Sequence, residues 1–256
     1  MKRKVFLFGG SGGRMLEALL FMAFAGITPE ETLDLVLCDP DGDGMHGAVQ
    51  LRQELADYQR IWASRTYIGT DYPAFQTEIN LRTWCDPLPM NAKTLADWTQ
   101  DEKQDALLCQ ALFPADTASL DLRQGFHDHP ELARVAFAAM LSECENDPDD
   151  AMRRTLDEIQ SALNAGEEVR VVLAGSLCGG TGAAGIESVA ALLQNRFGQN
   201  DNFRMGAVLM LPCAASTSKP SESNMDFYSG VLLAVRHLAE QNIDTDLSVY
   251  DVAGGI

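Results

Sequence analysis

Three features are missing from this sequence: cysteine pairs at metal-binding spacing, a long apolar segment and an excess of positive charge. The six cysteines are scattered and form no Cys-x-x-Cys pair, so neither disulfides nor a zinc site is predicted. No run approaches ~18 consecutive apolar residues, and the opening MKRKVFLFGG reaches glycine too early for a secretory signal. We therefore expect a cytoplasmic protein with reduced cysteines.

Positive charge is scarce, since the formal net charge is −18 over 256 residues. Such a chain repels phosphate backbones and anionic bilayers unless it carries a basic patch, and the sequence shows no such patch. We expect neither a nucleic-acid nor a membrane partner. With 46% hydrophobic residues, the chain can bury a core and suits one large domain or two small ones.

Apolar runs alternate with helical patterns along most of the chain. Strands are predicted for VFLF from Val5, LDLVLC from Leu33, VRVVLAG from Val169, RMGAVLMLP from Arg204 and DLSVYDV from Asp246. Helices are predicted from Arg14 to Gly26, over about 47–65, from Pro130, within the segment from Asp147, from Ile186 and from Met225, with a cap at Thr28. This alternation predicts an α/β fold with a mostly parallel, Rossmann-like sheet covered by helices on both faces.

The stretch from about 60 to 122 has mixed composition and several prolines and tryptophans. It has no clear period, so we treat it as a poorly assigned insertion. Elsewhere no internal repeat or low-complexity linker divides the chain.

Two glycine clusters, GGSGG from Gly9 and CGGTGAAG from Cys178, each separate a predicted strand from a predicted helix. We expect both to be loops. Backbone N–H groups at a helix start are unpaired and partly positive, and glycine lets a phosphate approach them. Neither cluster has the lysine of a GxxxxGK[ST] loop, and Met15 interrupts a GxGxxG fingerprint. A phosphate ligand is predicted, with a tight strand-to-helix turn as the alternative for either cluster alone.

Three segments resemble the tubulin and FtsZ superfamily. AGSLCGGTGAAG is similar to its GGGTG[ST]G signature, LFGGSGGRML to its first glycine loop GVGGGGGNAV, and GFHDHPELARVAFA to its segment GAGANPEVGRKAAEE. The segments follow the family order. The resemblance covers Lys4 to about Val252 apart from the poorly assigned stretch, and looks closest to divergent bacterial tubulin-like proteins.

The resemblance implies a tubulin/FtsZ-like nucleotide-binding domain over residues 1–256, with GTP or GDP as its ligand. The candidate nucleotide-site residues from the three segments are Gly9, Gly10, Ser11, Gly12, Gly13, Arg14, Gly125, Cys178, Gly179, Gly180, Thr181 and Gly182. Asp39 would approach a phosphate-bound Mg²⁺ through water. Asn224 and Phe227 would contact the base.

Five positions depart from the family pattern. Cys178, Ala183 and Ala184 replace two glycines and a hydroxyl residue of the signature, while Leu7 and Arg14 replace a glycine and an asparagine of the first loop. These changes remove one hydroxyl and some backbone freedom, which weakens the case for tight nucleotide binding and for hydrolysis. Arg14 adds a positive charge that could compensate.

In the family, each active site is completed by an aspartate-bearing loop of the next subunit. That loop follows a long central helix, and the sequence stops at Ile256, before either would occur. The resemblance therefore implies that the C-terminal activation domain is missing, through truncation or degeneration. We expect guanine-nucleotide binding, a homo-oligomer or filament as the candidate assembly, and little hydrolysis by this chain alone.

Two other functions stay open. A Rossmann-like oxidoreductase would hold NAD(P) or a flavin at the cluster beginning at Gly9, and would give the second cluster no comparable role. A non-catalytic tubulin-like scaffold would keep the assembly surface without the ligand.

Two further motifs suggest metal sites but lack ligands. DPDGDG from Asp39 matches half of an EF-hand loop, yet Gln50 occupies the position of the bidentate carboxylate. His127 and His129 flank an aspartate, without a third or fourth ligand nearby. An acidic turn and a polar loop are the better interpretations.

Overall fold

The computed structural model describes residues 1–27, 32–40, 48–64, 74–84, 93–99, 103–126, 129–177, 179–211, 236 and 244–249. The strands are β1 (Lys2–Phe8), β2 (Thr32–Cys38), β3 (Glu78–Thr83), β4 (Val169–Ser176), β5 (Phe203–Leu211) and β6 (Asp244–Val249). The helices are α1 (Gly9–Phe24), α2 (Ala48–Ala63), α3 (Leu95–Thr99), α4 (Lys103–Leu112), α5 (Ala115–Ala118), α6 (Pro130–Cys144), α7 (Ala151–Asn164) and α8 (Gly180–Phe197). A 3₁₀ turn, Leu122–Gln124, precedes α6.

The strands form one six-stranded sheet in the order β3-β2-β1-β4-β5-β6. Every neighbouring pair is parallel. This is the strand order of doubly wound nucleotide-binding folds. The prediction of a parallel α/β fold is confirmed.

Alternation along β1 divides the buried side chains between two cores. Phe6 and Phe8 belong to the larger core, which includes residues of α6, α7 and α8. Leu7 faces the other way into a smaller core with residues of α1 and α2. Helices therefore cover both faces of the sheet, and α1 and α8 lie on opposite faces.

The expectation that the two glycine clusters are loops is wrong. Helix α1 begins at Gly9 and helix α8 at Gly180, so most of each cluster forms the first turns of a helix. The reason is tertiary contact: a Cβ atom at Gly12 would lie 2.6 Å from the carbonyl carbon of Leu7. Close packing on the preceding strand thus overrides the low helix propensity of glycine.

The poorly assigned stretch contributes an edge strand, β3, and the short helices α3, α4 and α5. The predicted helices on either side of it, α2 and α6, are confirmed. Pro130 lies in the first turn of α6, as its sequence position indicated.

Several predicted features lie outside the described residues: the cap at Thr28, most of DPDGDG, His127 and most of the helix from Met225. None of the helices in the described ranges is long and apolar enough to cross a bilayer.

Candidate functional site

The centre of the sheet is the point where the connections reverse direction. From β1 the chain moves outward to β2 and β3, returns to β4 beside β1, and then moves the other way. β1 and β4 are paired from Lys2 and Val169 to Phe8 and Gly175. In open parallel sheets, ligands bind in the crevice beyond the carboxyl ends of the strands at such a reversal.

Helices α1 and α8 both begin at this crevice. Gly9 directly follows β1, and Gly180 follows the end of β4 at Ser176 by four positions. Neither helix start has a side-chain cap, and neither first turn contains an acidic residue. The unpaired N–H groups of a helix start carry partial positive charge. Two such starts therefore present positive potential to one crevice.

The two helix starts touch. A Cβ atom added to Gly9 would lie 3.3 Å from the Cβ of Thr181. Gly9 also has a φ of +64°, a conformation that favours glycine. The contact brings the two glycine clusters, far apart in the sequence, to one place.

Thr181 is buried at this contact. Only 8% of the residue is exposed, and its hydroxyl oxygen lies 3.8 Å from the same Cβ position of Gly9. The hydroxyl makes no side-chain hydrogen bond to any residue in the described ranges. Because buried hydroxyls are usually hydrogen-bonded, Thr181 offers a donor to a group placed between the helix starts.

The third segment of the resemblance packs against the start of α8. A Cβ atom at Gly180 would lie 2.6 Å from the Cβ of Phe126 and 3.3 Å from the carbonyl oxygen of His129. Gly125, just before Phe126, has a φ of +92°. All three segments therefore meet at the carboxyl edge of the sheet.

Asp39 lies at the same edge. It directly follows β2, whose last residue Cys38 pairs with Phe8, so Asp39 occupies the level of Gly9. It is half-buried. Mg²⁺ is commonly held by one or two carboxylates together with phosphates and waters. The described residues contain no cluster of three potential metal ligands.

The remaining candidates differ in their surroundings. Gly10, Ser11 and Gly13 are half-buried and Arg14 is exposed; a Cβ atom at Gly13 would meet open space. Gly182 and Gly12 instead pack on the backbone of the preceding strand, which gives them a structural role. Gly179 is the N-cap residue of α8. Cys178, Asn224 and Phe227 lie outside the described residues.

Sequence reasoning missed the aromatic support beneath the site. The ring of Phe137 lies 6.4 Å from that of Phe8 and 6.0 Å from that of Phe126, centroid to centroid. Gly185 of α8 packs against Phe8 and Phe137. Gly185, the last residue of the second cluster, was the available signal for this close approach.

An ion pair and a histidine–carboxylate contact border the site. Arg134 of α6 donates to Glu187 of α8 at 3.1 Å, which ties the two helices together. The Nδ1 atom of His129 lies 2.7 Å from Oε1 of Glu131. His129, which the sequence offered as a metal ligand, thus pairs with a carboxylate of its own segment.

A cavity of about 410 Å³ lies at the opposite, amino edge of the sheet, away from both helix starts. Its wall includes Lys4, which is 4% exposed and whose Nζ lies 2.6 Å from Glu158 and 3.1 Å from Asp34. The hydrogen bond from Arg82, assisted by Lys4 and opposed by burial, lowers the pKa of Glu158 to about 2. This cluster joins β1, β2 and β3 to α7 and is separate from the glycine clusters.

A family model described as "Tubulin like" matches residues 55–228. This span is more than half of the chain, and it includes both the segment around Gly125 and the signature around Gly180. The chain belongs to the tubulin-like family. The membership inferred from the three segments is thereby confirmed.

Two solved structures are similar to the tubulin-like chain. CetZ from Methanosaeta thermophila strain DSM 6194 has a TM-score of 0.44 and 13% identity, and the match covers 97% of this chain and 46% of that one. An alcohol dehydrogenase from the archaeon Thermococcus sibiricus, complexed with 5-hydroxy-NADP, has a TM-score of 0.34 and 12% identity, with 100% and 99% covered. The chain thus spans less than half of CetZ. No curated protein sequence matches it.

Proposed function

We propose that this tubulin-like chain binds a guanine nucleotide with its terminal phosphates between the starts of α1 and α8. The contact between Gly9 and Thr181 carries the proposal, because it joins two uncapped helix starts at the reversal point of the sheet. Phosphate oxygens would accept hydrogen bonds from the helix N–H groups and from the buried Thr181 hydroxyl.

Local charge supports an anionic ligand although the chain as a whole is acidic. The first turns of α1 and α8 contain no carboxylate, and Arg14 lies just beyond the first cluster. Among the described residues, Asp39 is an acid at the level of Gly9, and it would approach a Mg²⁺ bound to the phosphates through water. The site therefore suits a phosphate–magnesium complex better than a bare carboxylate ligand.

Guanine as the base follows from family membership and not from a described contact. The base-contact candidates, Asn224 and Phe227, lie outside the described residues. The test is therefore a parallel titration with fluorescent GTP and ATP analogues and with NADPH. We expect GTP to bind most tightly. Tight NADPH binding without GTP binding would support the oxidoreductase instead.

Gly180→Val is the decisive variant for the phosphate site. A side chain there would collide with Phe126 and obstruct the start of α8. Ala191→Val is the matched control, since it adds bulk to the same helix about 16 Å further along its axis. We expect Gly180→Val to lose GTP binding and Ala191→Val to retain it. Equal binding by both variants contradicts the proposal.

Turnover and assembly belong to the same proposal. By family analogy the acid that activates water comes from a neighbouring subunit, so we expect this chain alone to hydrolyse GTP slowly. Pelleting with and without GTP tests for nucleotide-dependent assembly. Robust hydrolysis that rises with protein concentration would contradict the expected low turnover, and pelleting without any nucleotide binding would favour the scaffold.

A further inference from the structure

Helix α8 approaches β1 and α6 more closely than an ordinary side chain allows. A Cβ atom at Gly185 would lie 2.6 Å from Cζ of Phe137 and 2.6 Å from Cδ1 of Phe8, distances that real Cβ atoms essentially never show. Both rings are fully buried, so neither can move without disturbing the close-packed core. Position 185 therefore limits how deeply α8 sits against the two rings.

The same rings support both helix starts. Phe8 ends β1 and is followed directly by Gly9. Phe137 packs edge-on against Phe8 and tilted against Phe126, and the Cβ of Phe126 faces Gly180. The three rings of Phe8, Phe137 and Phe126 therefore form one cluster. Through Phe8 it adjoins the start of α1, and through Phe126 it contacts the start of α8.

We propose that Phe8, Phe137 and Gly185 are positioning residues that fix the separation of the two helix starts and thereby their fit to the terminal phosphates. This inference rests on the proposed nucleotide binding. Gly185 is about one turn beyond Thr181 on the same helix, so an outward shift of α8 at Gly185 also moves Thr181 away from Gly9. Hydrogen bonds to phosphate require N···O distances of about 2.7–3.2 Å, and a shift of about 1 Å breaks them.

If these residues have this role, changing them should weaken the binding of a nucleoside triphosphate more than the binding of a monophosphate. GMP lacks the terminal phosphates that both helix starts would hold, so its binding should be nearly insensitive to their separation. The probes are GMP and a non-hydrolysable GTP analogue, measured by titration with the wild type, Gly185→Ala and Leu193→Ala. Leu193 is buried on the same helix, and its truncation loosens the core without adding an atom beside Phe8 or Phe137.

In Gly185→Ala we expect affinity for the GTP analogue to fall about tenfold or more, equivalent to about 1.4 kcal/mol, with GMP affinity little changed. In Leu193→Ala the ratio of the two affinities should stay at the wild-type value. Adding Phe137→Leu to Gly185→Ala removes one of the two obstructing rings and should recover part of the lost affinity. Circular dichroism establishes that each variant is folded.

Phe137→Leu alone keeps the test decisive if Gly185→Ala does not fold, because it weakens the aromatic support without adding bulk. Its affinity for the GTP analogue should fall by less than in Gly185→Ala, and its affinity for GMP should again change little. Unchanged binding of the GTP analogue in the folded variants overturns the positioning role, as does an equal loss for both nucleotides or the same loss in Leu193→Ala. A wild type that binds neither nucleotide refutes the proposed function itself.

Discussion

The hydroxyl of Thr181 is buried against Gly9, the residue that joins β1 to α1. This hydroxyl has no side-chain hydrogen bond within the described part of the chain, so under the proposed function we expect it to donate to a phosphate oxygen between the helix starts. Thr181→Val removes the hydroxyl and keeps the shape of the side chain.

We expect Thr181→Val to bind the GTP analogue about 10- to 100-fold more weakly, since a hydrogen bond to a charged group contributes about 1.5–3 kcal/mol. Thr181→Ser retains the hydroxyl and should bind within a few-fold of the wild type. Titration of both variants measures the effect. If Thr181→Val binds the GTP analogue as tightly as the wild type, the Thr181 hydroxyl does not contribute to binding.

Two glycines in equivalent helix starts should respond oppositely to alanine. A Cβ atom at Gly182 would overlap the carbonyl oxygen of Ser176, whereas one at Gly13 would meet nothing within 4 Å. We expect Gly182→Ala to lower the free energy of unfolding by about 2–3 kcal/mol through overpacking. Gly13→Ala should raise it by about 0.5–1 kcal/mol, because alanine restricts the unfolded chain. Urea unfolding of both variants provides the comparison, and similar midpoints would contradict it.

Acid should destabilise the fold through Glu158. The folded pKa of Glu158 is lowered to about 2 from 4.5, mainly by the hydrogen bond from Arg82. The stabilisation is therefore present above about pH 4.5 and is lost as the pH falls towards 2. Glu158→Gln should be less stable at neutral pH and show a shallower decline below pH 4.5.

The control for this pH profile is Glu168→Gln, because Glu168 forms an exposed pair with Arg170 and such pairs contribute little. Urea midpoints at several pH values should separate the two variants. A Glu158→Gln profile parallel to that of the wild type would exclude Glu158 as the source of the acid sensitivity.

Asp150 has two roles at the start of α7. One carboxylate oxygen caps the helix by accepting from the N–H of Arg153, and the other accepts from the indole N–H of Trp84 at 3.2 Å. Removing an N-cap lowers stability by about 1 kcal/mol, and the buried indole also loses its partner, for about 1–3 kcal/mol. We expect Asp150→Ala to lower the melting temperature accordingly.

Asp149→Ala is the adjacent control. Its side chain is 85% exposed and pairs with Arg154 at the surface, so its loss should change stability by less than about 1 kcal/mol. Trp84 fluorescence should change in Asp150→Ala and not in Asp149→Ala. Equal effects of the two substitutions would argue against the capping role.

Most strands and long helices could be predicted because the apolar pattern of their sequence matches the faces that are buried in the fold. Leu33 to Cys38 is an almost continuous apolar run, as expected for a strand covered on both faces. The edge strand β3 was not predicted. Its sequence EINLRT is mostly polar, and among the described strands it pairs on one side only, with β2, so its apolar signal is weak.

The helix starts could not be placed from the sequence for a different reason. Glycine is a poor helix former, so the sequence predicts loops for Gly9 to Gly13 and Gly180 to Gly185. Glycines of these segments pack against Leu7, Ser176 and the rings of Phe8 and Phe137, where a larger side chain would collide, and no local pattern reveals these contacts. The meeting of the three segments was implied by family resemblance, whereas the aromatic group beneath them required the structure.

Because the two helix starts belong to different cores, a ligand bound between them should affect both faces of the sheet. Helix α1 is anchored in the smaller core and α8 in the larger one, with the sheet between them. A phosphate held by both helix starts would add a second link between the two layers, beside the contact of Gly9 with Thr181. Ligand binding should then slow amide hydrogen exchange in α1, in α8 and on both faces of the sheet together. The extent of this slowing would measure how strongly the two layers are coupled.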